Sequence, residues 1–146
     1  MLDLSKFGEN LRALMLEQGI NAPALAKILK TDRSNITRYQ RGEQLPTLAG
    51  FVAIVEYFGV SSDILLGLVD YTNESRFLPL PPFAERLRFV MNETKTTQYR
   101  IERDTGISGA SMYNWLFGKS IPKMESIVRL AEYMEVSVDY LLGRIN

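Results

Sequence analysis

The sequence of 146 residues contains no cysteine and no histidine. These two absences exclude disulfide bonds, thiolate or imidazole zinc sites, and the nucleophile and base pairings that depend on either residue. The chain also lacks a metal-ligand cluster, a phosphate-binding glycine loop and a defensible pair of carboxylates for acid and base chemistry. We therefore expect a protein that is not an enzyme and that needs no cofactor and no metal.

Long apolar runs are missing as well. No stretch approaches the roughly 20 apolar residues that span a bilayer. Hydrophobic residues make up 46% of the chain, which is ordinary for a globular protein that folds in water. The first ten residues, MLDLSKFGEN, lack the charged-then-apolar layout of a signal peptide. The expected location is the cytoplasm, with no membrane partner.

The chain has no net charge, because 17 lysines and arginines balance 17 aspartates and glutamates. The basic residues nevertheless concentrate in residues 21–47, which contain five of them against two acids, a local balance of +3. A protein that binds nucleic acid needs a basic surface rather than a basic average. The neutral composition therefore does not exclude a nucleic-acid partner for this segment.

What the sequence does contain is an internal repeat. At an offset of 76 residues, residues 7–67 align with residues 83–143 without a gap, and 17 of the 61 aligned pairs are identical. The clearest match sets VSSDILLG, residues 60–67, against VSVDYLLG, residues 136–143. A regularity of this kind predicts two copies of one structural unit.

Both copies have the periodicity of helices, because apolar residues recur at helical spacing and no strand alternation is sustained. We predict an all-α protein of two tandem five-helix domains, over residues 1–68 and 83–146. Residues 69–82 are interpreted as a linker, since the closing prolines favour extended backbone and cannot continue a helix. The repeated segment, VSSDILLG in one copy and VSVDYLLG in the other, predicts the fifth helix of each domain. A serine caps its N-terminal end and a glycine ends it.

In the first copy, the second and third helices and the short turn between them predict a helix-turn-helix, the motif that places one helix in a major groove. Ile36 and Tyr39 are spaced to face inward. Four polar side chains form the opposite stripe at positions i, i+3, i+4 and i+7: Ser34, Thr37, Arg38 and Arg41. Because arginine pairs with guanine or phosphate and hydroxyls reach base edges, the stripe predicts contact with double-stranded DNA. The alternative is an ordinary solvated helix face.

The string LAKILKTDRSNITRYQRGEQLP, residues 25–46, resembles the helix-turn-helix of the lambda repressor and Cro family, also called Xre-type regulators. The resemblance extends over residues 5–68 and 81–144. It implies two lambda-repressor-like DNA-binding domains in a bacterial or phage transcriptional regulator, which binds operator DNA, usually as a two-fold pair. Carried over by position, the base-reading residues of the family fall on Arg33, Ser34, Asn35, Thr37 and Arg38, and a phosphate-facing basic residue falls on Arg41.

The second copy keeps the same frame but carries a different outer stripe. The residues that match Ser34, Thr37, Arg38 and Arg41 are, in that order, Ala110, Tyr113, Asn114 and Phe117. Both arginines are lost. Exposed Tyr113, Leu116 and Phe117 would form an apolar patch, and such patches favour contact with a protein. These three residues are therefore the candidates for a protein interface, either in a homodimer or with another protein.

Two other roles for the second stripe stay open. Contact with DNA is available through six residues: Gln98, Ser108, Ser111, Tyr113, Asn114 and Lys119. Alternatively, Tyr113 and Phe117 pack on Phe77 and Leu78 of the linker, which buries the patch within one chain. The sequence also departs from the family pattern at two positions. Lys30 replaces the usual turn glycine in the first copy, and Glu102 replaces the small residue that lets the second and third helices of the second copy approach closely.

Two functional hypotheses follow. The first is a sequence-specific DNA-binding transcriptional regulator, a repressor of the Xre type, that acts by occupying an operator. The second is a protein-interaction module, such as an antitoxin or an adaptor, that uses the second domain to hold a protein partner. They differ in whether the chain selects a DNA sequence, so selection from a random DNA pool separates them.

Overall fold

The computed structural model describes residues 2–146 of the chain. Over that range it contains ten α-helices and no strand, which confirms the predicted all-α class. The chain divides into two compact units between Ser75 and Arg76, within the segment that the sequence predicts as a linker. None of the helices in the described range is long and apolar enough to cross a membrane.

The first unit contains five of these helices. They are α1 (Leu4–Gln18), α2 (Ala22–Leu29), α3 (Arg33–Gln40), α4 (Leu48–Phe58) and α5 (Ser62–Leu65). Asn21 caps α2 because its side chain accepts a hydrogen bond from the backbone amide of Ala24, and Ser61 caps α5 in the same manner. Such caps satisfy amide groups that have no partner inside the helix, so they define where each helix begins.

The core of the first unit lies between α1, α3 and α4. The ring of Phe7 on α1 contacts Tyr39 of α3 and Phe51 of α4, with centroid separations of 6.5 Å and 6.3 Å. Ile36 and Tyr39 are buried, as their helical spacing predicts. Full burial of a side chain of this size contributes about 1.5–3 kcal/mol. These contacts therefore hold α3 with its other face toward solvent.

Helix α1 also meets the end of α3 at the level of the backbone. A Cβ atom on Gly8 would lie 2.6 Å from the carbonyl oxygen of Gln40 and 2.9 Å from the amide nitrogen of Gly42. Gly42 adopts a φ of 68°, in the left-handed region that favours glycine. The Arg12 guanidinium donates a hydrogen bond to the Gln40 carbonyl. The C-terminal end of α3 is therefore held in place by α1.

The second unit contains the other five helices. They are α6 (Phe83–Glu93), α7 (Gln98–Thr105), α8 (Gly109–Leu116), α9 (Met124–Met134) and α10 (Val138–Leu142). The bounds of α7, α8 and α9 equal those of α2, α3 and α4 displaced by 76 residues, which is the offset of the sequence repeat. The first helices differ, because α1 has 15 residues and α6 has 11. Each unit therefore contains the same central three-helix frame.

Part of the predicted linker packs within the second unit. The Leu78 amide donates to the Arg144 carbonyl at 2.6 Å, and the guanidinium carbon of Arg144 lies 4.3 Å from the centroid of the Phe77 ring. Arg144 is 1% exposed and pairs with the buried carboxylate of Asp139 at 2.6 Å. Residues 77 and 78 therefore belong to the packing around α10 rather than to a free tether.

Candidate nucleic-acid interface

Helices α2 and α3 are joined by a short turn, Lys30 to Asp32. Lys30 adopts a φ of 57°, and the amides of Lys30 and Thr31 donate to carbonyl oxygens in the last turn of α2. A side chain in the left-handed region costs roughly 1–2 kcal/mol. The turn therefore adopts with lysine, at that cost, the conformation for which the family pattern has glycine. The turn lets α3 pack against α2, which completes a helix-turn-helix.

The six residues predicted to contact DNA lie on α3 or at its C-terminal cap. Three are exposed and three are half-buried: Arg33, Ser34 and Arg41 in the first group, and Asn35, Thr37 and Arg38 in the second. The buried residues of the same helix are Ile36 and Tyr39. The structure thus brings the predicted residues together on the surface of one helix, and their contact with DNA stays a prediction.

Three side chains at the beginning of this surface are linked by hydrogen bonds. The Nδ2 atom of Asn35 donates to Oγ1 of Thr31 at 2.8 Å, and Nη2 of Arg38 donates to Oδ1 of Asn35. Thr31 is not among the residues that the sequence predicts for this surface, because it lies in the turn before α3. Helical spacing gives no signal for Thr31, because it lies before the N-cap Asp32 and outside α3, so the contact with Asn35 comes from the structure.

The cationic groups of α3 are accessible to an anionic partner. Arg41 lies 3.9 Å from Glu43 with both side chains largely exposed, so this ion pair contributes at most about 1 kcal/mol. Among residues 2–146, no carboxylate forms an ion pair with Arg33 or Arg38. A phosphate group can therefore approach this surface without displacing a strong internal partner.

The packing of α7 on α8 in the second unit uses different residues from the packing of α2 on α3 in the first unit. The first unit has the buried Ala26 on α2 and Arg33 as the first residue of α3, whereas the matching residues of the second unit are Glu102 and Gly109. A Cβ atom on Gly109 would lie 2.9 Å from Oε1 of Glu102, so the glycine makes room for the larger side chain. The carboxylate consequently occupies the N-terminal end of α8, where the helix dipole would otherwise attract a phosphate.

The cations of α7 are partly compensated within the second unit. The Nε atom of Arg103 donates to Asp104 at 2.7 Å. Hydrogen bonds from Arg103 and from the Tyr133 hydroxyl lower the pKa of Asp104 to about 2. This carboxylate is therefore ionised at neutral pH and stands beside Arg103, so the basic character of α7 is weaker than its sequence suggests.

Two aromatic side chains, Tyr113 of α8 and Phe117 at its C-terminal cap, remain on the surface, whereas Trp115 of the same helix is buried. Tyr113 is 47% exposed and Phe117 is 63% exposed, and their ring centroids lie 4.7 Å apart. The interpretation that Phe77 and Leu78 bury this pair is wrong, because Phe77 packs on Arg144 and the pair stays open to solvent. Leu116 is only half-buried and contributes less exposed surface than the two rings.

Two of the polar candidates in the second unit, Ser108 and Ser111, are hydrogen-bonded to one another. Ser108 caps α8 by accepting from the Ser111 amide at 3.1 Å, and its hydroxyl donates to the Ser111 hydroxyl at 3.0 Å. The Lys119 ammonium lies 5.1 Å from the centroid of the Tyr113 ring, within the range of a cation–π contact. Gln98 and Asn114 are half-buried. Contact of these residues with DNA stays a prediction.

The short helices, the tight turn and the polar surface of α3 together define an all-α helix-turn-helix protein. No model of a protein family matches the chain. Over 60 residues, the chain is 35% identical to the cryptic phage CTXphi transcriptional repressor RstR of Vibrio cholerae serotype O1. That match covers 41% of this chain and 54% of the relative, so the chain spans about half the length of the curated protein that it resembles.

One solved structure is also similar. It is the restriction-modification controller protein C.AhdI from Aeromonas hydrophila, with 28% sequence identity and a TM-score of 0.40. The superposition covers 43% of this chain and 96% of that one.

Proposed function

We propose that the protein is a sequence-specific DNA-binding transcriptional regulator, a repressor of the Xre type that acts by occupying an operator in the cytoplasm. The observation that carries this proposal is the surface of α3, where Arg33, Arg38 and Arg41 lack strong internal ion pairs. The 35% identity to a phage transcriptional repressor supports the same function. Occupancy of an operator requires no chemistry, so the proposal includes no cofactor and no catalytic residue.

The geometry of α3 suggests a division of labour in the complex with DNA. With α3 in the major groove, its N-terminal residues reach base edges, and Arg38 can make two parallel hydrogen bonds to a guanine. Arg41 lies at the C-terminal cap, where an exposed guanidinium suits a backbone phosphate. Phosphate contact positions the protein, whereas contact with bases specifies the sequence.

The tandem arrangement is part of the proposal. It is supported by the sequence repeat and by the matching bounds of the central helices in the two units. Either the second unit contacts DNA beside the first, or it serves assembly. Two observations favour assembly. The carboxylate of Glu102 lies at the N-terminal end of α8, and all three arginines of the α3 surface are replaced in the second unit, by Gly109, Asn114 and Phe117.

Selection of bound duplexes from a random DNA pool at moderate salt tests the proposal. The wild-type chain is expected to enrich one motif, and Arg38→Ala is expected to relax the preference at one base pair, at a cost of about 1–3 kcal/mol. Arg76→Ala is the matched control, because it removes an exposed arginine far from α3 in sequence. Failure of the wild-type chain to enrich any motif would contradict the proposed function.

A second candidate function is a protein-interaction module, such as an antitoxin or an adaptor. It is favoured by the exposed Tyr113 and Phe117 pair on α8. Under this function, Phe117→Ser abolishes self-association or partner binding, as measured by sedimentation, and leaves DNA affinity unchanged. Ile121→Ser is the control, since Ile121 is 64% exposed, like Phe117 at 63%, and is not part of the Tyr113 and Phe117 ring pair. Assembly that survives the Phe117→Ser change would count against this function.

A further inference from the structure

The hydrogen bonds from Thr31 to Arg38 form a directed chain across the beginning of α3. Thr31 lies in the turn, Asn35 in the first turn of the helix, and Arg38 one turn later. Asn35 Nδ2 donates to Thr31 Oγ1 at 2.8 Å, and Arg38 donates to Asn35 Oδ1, with both hydrogen bonds partly buried. Partial burial strengthens such bonds because water competes less for the same groups.

The donors and acceptors of the three side chains permit only one direction for each of these two hydrogen bonds. A guanidinium group only donates hydrogen bonds, so the carbonyl oxygen of Asn35 must face Arg38. The amide nitrogen of Asn35 then faces Thr31, whose hydroxyl oxygen must accept. The orientation of the Asn35 amide is thereby fixed from both sides.

This arrangement changes the role expected for Asn35. An asparagine that reads adenine presents its oxygen and its nitrogen together to one base edge. Here each atom already makes one hydrogen bond inside the protein, to Arg38 and to Thr31. The second N–H and the second lone pair of the amide can therefore point only in the directions that these two bonds leave, which are not chosen for a base edge. Arg38 uses one of its five N–H groups for Asn35, so enough donors remain for a pair of hydrogen bonds to guanine.

Comparison with the second unit shows that the fold does not need the hydrogen bonds that link Thr31, Asn35 and Arg38. The residues that match Thr31, Asn35 and Arg38 are Ile107, Ser111 and Asn114. Ile107 is buried and has no hydroxyl group, yet α8 has the same bounds as α3 at the offset of 76 residues. A network that the shared fold does not require points to a role in recognition.

We infer that Thr31 and Asn35 are positioning residues that aim Arg38 at a guanine, and that Asn35 does not itself read a base. The inference rests on the proposed DNA-binding function. Its physical basis is that a long, flexible arginine loses many conformations when it docks, and a side chain already held in place loses fewer. The inference names Thr31 as a determinant of specificity that touches no DNA.

The test compares Thr31→Val, which keeps the shape and removes the hydroxyl, with Thr31→Ser, which keeps the hydroxyl. Duplex selection with the full chain first identifies the base pair at which Arg38→Ala loses preference. At that base pair, Thr31→Val is expected to reduce discrimination by about 3- to 10-fold, the effect of one partly buried hydrogen bond. Thr31→Ser is expected to restore it, and the salt dependence of binding stays unchanged in both variants.

A second measurement follows Arg38 without DNA. In the free protein, ¹⁵N relaxation of the Arg38 Nε group is expected to show greater mobility in Thr31→Val than in the wild-type chain or in Thr31→Ser. Equal mobility in all three proteins would overturn the inference. So would an Asn35→Ala variant that loses preference at a base pair other than the one assigned to Arg38, because Asn35 would then read a base directly.

The outcomes separate this inference from the proposed function. If the wild-type chain enriches no motif, the proposed function fails, and the role of Thr31 in base preference fails with it. If a motif is enriched but Thr31→Val keeps the full preference, only the positioning role is overturned.

Discussion

The two units share the bounds of their three central helices and the pattern of buried residues, and they differ in the side chains on the outer surface. Helices α7, α8 and α9 repeat the bounds of α2, α3 and α4, and both units bury apolar residues at matching positions such as Ile36 and Met112. On the outer surface, Asn114 stands in place of Arg38 and Phe117 in place of Arg41. The buried pattern therefore determines the fold, and the exposed pattern is free to take on different partners.

The contact between the second and third helices of each unit uses different residues although the helix bounds are the same. One unit combines Ala26 with Arg33, and the other combines Glu102 with Gly109. Glu102 gains its space from the glycine on the facing helix, since a Cβ atom there would lie 2.9 Å from the carboxylate. The exchange preserves the helix bounds but moves a negative charge to the beginning of α8. The difference in packing therefore comes with a difference in charge at the N-terminal end of α8.

The largest expected effect is on the second unit, from Asp139→Ala. This change removes the carboxylate that lies 2.6 Å from the buried Arg144 guanidinium, and loss of one partner of a buried ion pair costs about 3–5 kcal/mol. The first unit has Leu68 at the position that matches Arg144, so that position supplies no cation there. Urea unfolding followed by the fluorescence of Trp115, the single tryptophan of the chain, measures the effect within the second unit.

Two further variants control the Asp139→Ala experiment. Replacement of the exposed Glu125 by alanine is expected to change stability by less than about 0.5 kcal/mol. The double change Asp139→Leu with Arg144→Met removes both charges and is expected to recover most of the loss, because an apolar pair avoids an uncompensated buried charge. An unfolding midpoint for Asp139→Ala equal to that of Glu125→Ala would remove this distinction between the units.

The next effect tests the approach of the first helix to the third. Gly8→Ala places a methyl group 2.6 Å from the Gln40 carbonyl, and backbone must move to relieve the overlap, at a cost of about 3 kcal/mol. The second unit already has Ala84 at this position, so Ala84→Gly is expected to cost only about 0.5–1 kcal/mol. Amide hydrogen exchange measures each unit separately. Equal losses in the two units would show that α1 and α6 pack in the same way.

Much of this comparison is readable from the sequence. The offset of 76 residues, the buried Ile36 and Tyr39 and the outer position of Arg38 all follow from helical spacing and from the repeat. Such features are local, because a helix places residues three and four apart on one surface whatever surrounds it. Helix class and the polarity of each surface are therefore predictable from residues alone.

Other features depend on contacts that spacing does not encode. The packing of Phe77 on Arg144 joins the segment before α6 to the segment after α10, and no local pattern announces it. The room for Glu102 depends on Gly109 across a turn. The role of Thr31 depends on the direction of two side-chain hydrogen bonds, which a residue list leaves undetermined. These three contacts can therefore be recognised only from the three-dimensional structure.

A smaller effect concerns phosphate contact and compares Arg41 with Lys119. Arg41→Ala is expected to weaken binding to the selected duplex by about 1.5 kcal/mol, the value of a hydrogen bond to a charged group. It should also reduce the slope of log affinity against log salt by about 0.9, as expected for one lost phosphate contact. Lys119→Ala is expected to leave that slope unchanged, because the second unit is proposed to serve assembly rather than to contact the DNA backbone. Fluorescence anisotropy over a salt series gives both slopes, and a similar decrease for both variants would place the second unit on the DNA backbone.

The smallest effect lies at the turn, where Lys30 and Gly106 occupy matching positions with φ of 57° and 77°. Lys30→Gly relieves the left-handed strain of a side chain but increases the freedom of the unfolded backbone, so the net gain in unfolding free energy is about 1 kcal/mol or less. Gly106→Lys is expected to lose a similar amount, and thermal unfolding of the two variants measures both. Lys30→Asn serves as a control because asparagine tolerates this region and also lacks the charge. A loss of stability in Lys30→Gly would mean that the lysine side chain makes a favourable contact that outweighs its backbone strain.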